Sequence, residues 1–115
     1  MNKLRKMREP RYWRLSIGQT GSITATDELG LQWWVGEYIC SENVLAHCLP
    51  QTAKLVREYI SLRKRLTKRL LATEDRSAES DSILDDIEEL EDDYRSQVEA
   101  TQSAELKVIC DEQDG

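Results

Sequence analysis

The thiol and imidazole groups of this 115-residue chain, candidates for a metal site or a Cys–His nucleophile, number four: Cys40, His47, Cys48 and Cys110. Together they would suffice for a tetrahedral zinc site. Their spacing argues against one. There is no Cys-x-x-Cys pair, and His47 and Cys48 are neighbours, which a helix points in different directions. The expectation is that Cys40 and Cys48 are small buried apolar residues, as free cysteines commonly are. A Cys–His nucleophile needs the imidazole within hydrogen-bond reach of the thiol, and adjacent helical positions do not supply that. Carboxylates abound, 22 in all, but no pair stands out as an acid and a base. Gly18, Gly21, Gly30 and Gly36 spell neither a phosphate loop nor a dinucleotide fingerprint. The motifs therefore point to a non-enzyme with no cofactor and no metal.

Charge is the stronger signal. Residues 54–69 carry seven cations (Lys54, Arg57, Arg63, Lys64, Arg65, Lys68, Arg69) against Glu58, net +6. Residues 74–93 carry eleven acids against Arg76, net −10. A basic stretch beside an acidic one predicts neutralisation within the fold or in a symmetric dimer, since flanking charges orient paired helices. Exposed ion pairs contribute only about 0–1 kcal/mol each, so charge selects the pairing and buried apolar area drives it. Two further uses of the charge are open. Asp85, Asp86, Glu89, Asp92 and Asp93 could attract a basic partner or imitate nucleic-acid phosphates. Arg63, Lys64, Arg65, Lys68 and Arg69 could follow a phosphate backbone. The overall charge of −6 disfavours nonspecific nucleic-acid binding. Residues 1–14 are locally basic, net +5, and residues 1–11 read as a flexible basic arm.

These groups need elements to hold them. The composition changes along the chain: Trp13, Trp33, Trp34 and most glycines fall in the first third, and Leu, Ile and charge dominate the rest. Residues 12–39 read as β-rich. Trp13, Leu15 and Ile17 alternate with polar residues, 18–21 is a turn, and 22–26 is a return strand. Residues 31–39 fit a third strand or alternatively a short helix, and Gly36 weakens both; the strand places Leu31, Trp33, Val35 and Ile39 on one face. Adjacent Trp33 and Trp34 must then face opposite sides, one inward and one toward solvent or a partner.

Residues 41–72 read as a kinked basic helix: Ser41 opens a short helix through Leu49, with Glu42 in its first turn, and Pro50 then breaks or kinks the chain or serves as the first residue of the next helix. Residues 81–109 read as an acidic helix, and 110–115 as a loose tail. Leu55, Tyr59, Leu62 and Leu66 on one helix and Ile83, Ile87, Leu90 and Tyr94 on the next recur at steps of three and four, the spacing of a shared apolar seam. No stretch approaches the ~20 apolar residues of a membrane span. The odd cysteine count agrees with a reducing compartment. The expected fold is α+β, mostly α: one domain in which a small N-terminal β-hairpin or meander precedes a long antiparallel helical hairpin. The expected function is protein binding by a small cytoplasmic regulator, adaptor or inhibitor, of a size common in viruses and mobile elements, with the long helices forming a homodimer. The alternatives are a nucleic-acid-associated regulator and a zinc or thiol protein.

Overall fold

The computed structural model describes residues 12–36 and 41–114. The basic arm (1–11), the end of the β-rich part (37–39) and Cys40 lie outside the described residues. The elements are β1 (Arg14–Ile17), β2 (Ile23–Thr26), β3 (Gln32–Val35), α1 (Ser41–Leu45), α2 (Pro50–Leu71) and α3 (Ala78–Asp114). This is the α+β, mostly helical architecture with a meander ahead of a helical hairpin.

The sheet is antiparallel in the order β1-β2-β3, with Leu15 opposite Ala25, Ile17 opposite Ile23, and Ile23 opposite Val35. Period-two alternation turns these side chains inward and buries them. Each connection is fixed by its own chemistry. Gly21 (φ 84°) and Gly30 (φ 87°) occupy left-handed backbone that a side chain would strain. The Asp27 carboxylate accepts from the amides of Leu29 and Leu31, both at 2.9 Å, an Asx turn that closes the second hairpin.

Three short strands need a cover, and the helices supply it. Leu15, Ile17, Ile23, Ala25 and Val35 pack with Val44, Leu45 and Cys48 from the α1 region, Ala53, Val56 and Tyr59 from α2, and Val98 from α3. The Tyr59 hydroxyl donates to the Gly21 carbonyl at 2.9 Å, which satisfies the one polar atom this ring buries.

Residues 41–72 are two helices rather than one kinked helix. α1 stops at Leu45, and Leu49 adopts extended backbone (φ −60°, ψ 135°) ahead of Pro50, which opens α2. The proline ring disfavours helical geometry in the residue before it while suiting the first helical position itself. α3 starts earlier than residue 81, because Ser77 takes the cap: its hydroxyl accepts from the Ser80 amide at 3.0 Å. It also absorbs most of the expected tail. No Gly or Pro interrupts residues 78–114, so nothing local stops its 37 residues, ~56 Å at 1.5 Å per residue.

Candidate functional site: the helical hairpin and its outer faces

α2 and α3 run antiparallel over most of the length of α2, but the sheet covers only part of the pair. At the covered end, side chains of α3 reach into the strands. The Gln102 amide accepts from the Leu15 N–H at 2.8 Å and donates to the Leu15 carbonyl at 3.1 Å. It pairs with the outer edge of β1 as a neighbouring strand would. Arg95 donates to the carbonyls of Ile17 (3.0 Å) and Gly18 (2.7 Å) along the same edge. The C-terminal half of α3 is therefore the docking element for the sheet.

Glu105 closes a second gap. α2 begins with no side-chain cap of its own. Glu105 accepts from the backbone N–H of Gln51 (2.9 Å) and of Thr52 (2.7 Å), and from the Thr52 hydroxyl (2.6 Å). A carboxylate there satisfies orphan amides and complements the positive end of the helix dipole. Sequence reasoning assigned no role to Gln102 or Glu105. The one available signal was indirect: Leu49 ahead of Pro50 cannot cap, so the cap had to come from elsewhere in the fold.

The seam residues all lie along the pair and are buried to different degrees. Tyr59 and Ile83 are buried. Leu55, Leu62, Leu66, Ile87, Leu90 and Tyr94 are half-buried. Tyr59 and Tyr94 meet with ring centroids 5.7 Å apart. Burial raises the Tyr59 hydroxyl above its usual range; burial and the neighbouring Glu58 charge do the same at Tyr94. Leu84 and Leu71 are 50% and 80% exposed.

The two charge runs do not neutralise each other across the hairpin. Among the described residues a single ion pair links α2 to α3: Arg63 to Glu91 at 3.1 Å, set against Gly21 of the sheet. Arg57 instead forks onto Glu42 of α1, lowering that carboxyl below its usual range, and Arg95 pairs with Asp92 on its own helix. Lys64, Arg65, Lys68 and Arg69 are exposed and form no ion pair among the described residues. The same holds for Asp85, Asp86, Glu89 and Asp93. The seam holds one pair because its centre is apolar; the remaining charges stand outside it, where water solvates them.

Position along the helix sorts the acids. Glu91 faces the sheet. Asp93 and Glu89, two residues away in either direction, are ~200° around the helix at 3.6 residues per turn and so face the opposite side. With Asp86 they rim a groove of about 350 Å³ on the back of the hairpin, whose floor is Leu62, Leu66 and Leu90 and whose other rim is Arg65.

The tryptophans split between the two faces of the sheet, as their adjacency requires. Trp34 is 71% exposed on the outer face, opposite Thr24. Trp33 lies on the core face at the sheet's end, yet is 44% exposed. Its indole N–H donates to Asp27 at 2.9 Å, which draws that carboxyl below its usual range. Trp33 stacks on Trp13 (centroids 5.5 Å), and Trp13 stacks on His47 (4.1 Å).

His47 is thus engaged by an aromatic ring. Cys48 is buried in the core, its Sγ directed at the Val44 carbonyl (3.4 Å), and burial pushes its thiol up to about 11. Cys110 is exposed near the far end of α3. Among the described residues no group of three or more His, Cys, Asp and Glu is placed to hold a metal ion. No helix among them is long and apolar enough to cross a membrane. Comparison of the chain with protein-family models, curated proteins and solved structures finds no match, so the reading of function rests on this geometry.

Proposed function

We propose that the protein is non-catalytic and acts by binding another protein, as a small cytoplasmic regulator, adaptor or inhibitor that works as a homodimer through its long helices. One observation carries this reading: beyond the sheet the hairpin continues as a bare pair of helices, with half-buried leucines along its centre and unpaired charges of both signs along its sides. A helix pair that leaves its apolar seam half open gains by burying it against a further surface, at about 25 cal/mol per Å² of apolar area. Trp34 adds a second patch of the kind that anchors interfaces. The acidic edge that includes Asp85 and Asp92 suits a basic partner.

The test has two arms. Light scattering across micromolar concentrations reads self-association, and a monomer throughout contradicts the homodimer. Retention of proteins from native extract is then compared between the wild type and two variants, Trp34→Ala and Asp85→Lys/Asp92→Lys. A partner lost with either variant supports the reading, and identical retention by all three contradicts it.

A second reading has its own observation. Lys64, Arg65, Lys68 and Arg69 are exposed on one helix with no ion pair among the described residues, and a row of cations can follow phosphates. The acids of α3 lie one helix diameter away and repel the same phosphates, so this reading ranks lower. A mobility shift at low salt that disappears in Arg65→Ala/Arg69→Ala would raise it.

A further inference from the structure

The back of the hairpin carries enough geometry to say how a second copy would sit. The Arg63–Glu91 ion pair holds those two residues at one level across the antiparallel helices. Arg65 and Glu89 are each two residues nearer the tip, so they also share a level, on the opposite face. There they oppose each other across the groove floored by Leu62, Leu66 and Leu90, one rim basic and the other acidic.

Two dyads can bring this face against itself. A dyad perpendicular to the hairpin, in the plane of the interface, lays α2 on α2 and α3 on α3. With the axis at the level of Arg65 and Glu89, each of these two residues then meets its own copy, and Asp86 falls level with the acidic residues 92–93 of the other copy. A dyad along the hairpin lays α2 of one copy on α3 of the other. Arg65 of each copy then stands over Glu89 of its partner, between Asp86 and Asp93, and the leucine floors meet. Neighbouring helices all run antiparallel, so their dipoles oppose favourably.

We infer that the face of the hairpin opposite the sheet is a self-association surface, and that a second copy docks on it about a dyad along the hairpin axis, forming a four-helix bundle with both tips at the same end and the two sheets outermost. This rests on the homodimer reading and adds to it the surface and the orientation. Charge complementarity chooses the dyad, because like charges placed opposite each other disfavour the alternative. The area suffices: ~33 Å of α2 by the ~20 Å width of two helices gives ~1,300 Å² over both copies, within the range of specific interfaces.

A charge swap and a distance test it. Arg65→Glu is one variant and Asp86→Arg/Glu89→Arg the other; all three positions are exposed, and circular dichroism checks that helix content is kept. The wild type should scatter at twice the 13.3 kDa chain mass. Each variant alone should dissociate at least tenfold more readily, and an equimolar mixture should regain wild-type association, since every contact is again between opposite charges. For orientation, spin labels go on the native Cys110 in a Cys40→Ser chain, Cys48 being buried. Cys110 lies 21 residues, ~32 Å, from the level of Glu89, so the labels should be ~15–25 Å apart with the dyad along the axis and ~60 Å apart with the other. A dimer indifferent to the swap, or labels near 60 Å, overturns this inference and leaves the homodimer reading standing. A monomer at every concentration overturns both.

Discussion

The two ends of the helical hairpin are built from the same kinds of residue and are packed very differently. Under the sheet, Val56, Tyr59 and Val98 are wholly buried, and polar side chains serve the strands: Gln102 pairs the β1 edge, Arg95 binds two carbonyls, and Glu105 caps α2. Beyond the sheet Ile83 is buried, but Leu62, Leu66, Ile87 and Leu90 are only half-buried, Leu71 and Leu84 are exposed, and Arg65, Lys68, Arg69, Asp86 and Glu89 form no ion pair among the described residues. A two-helix pair has one shared line of contact, and a third layer is needed to close its sides. The sheet is that layer at one end. At the other it is missing, so the leucine spacing that specifies a hairpin also leaves a surface.

That contrast fixes the size of mutational effects. Tyr59→Ala removes a fully buried ring and its bond to Gly21, and should cost about 3–5 kcal/mol in urea unfolding. Leu66→Ala, at a half-buried site in the arm, should cost about 1 kcal/mol at concentrations where the chain is monomeric. Equal costs would erase the distinction between the two ends.

Gly21→Ala probes the point where the covered half gives way to the arm. The residue has φ 84°, and an added methyl would overlap the Glu91 carboxylate that holds Arg63. Strain and the displaced ion pair together should lower stability by about 2 kcal/mol. Thermal unfolding of Gly21→Ala that matched wild type would show that the sheet does not rest on that ion pair.

Alkali tests the burial of Cys48 in the covered half. The Cys48 thiol is raised to about 11 by burial. Its contribution is whole below the ordinary thiol value of ~8.5 and declines as pH rises from there toward 11, because only the unfolded chain ionises easily. Cys48→Ala removes that dependence. Cys110, exposed on α3, should react with a thiol reagent at once, and Cys48 only on unfolding. Equal reaction rates would place Cys48 outside the core.

The elements themselves were legible in the sequence because period signals are local. Alternation at Leu15 and Ile17 and three–four spacing from Leu55 to Tyr94 led to the meander and the hairpin. What joins them was not. Gln102 meets Leu15 across 87 residues and Glu105 meets Thr52 across 53, and nothing local marks a glutamine or a glutamate for such a task. The charge runs were visible, but not which charges meet: one ion pair forms across the seam among the described residues. Helical spacing places most of those side chains on outer faces, so their complementarity is available only to another molecule. The last helix outran its expected end because acidic residues resemble a tail, whereas only a Gly or Pro would have stopped it.

The most direct test of this account is amide hydrogen exchange followed by mass spectrometry at low and high protein concentration. Peptides from 52–59 and 94–105 should be protected at both. Peptides from 62–71 and 83–90 should exchange faster at low concentration and gain protection as concentration rises. Arm peptides protected as strongly as the covered half at the lowest concentration, with no response to concentration, would contradict it.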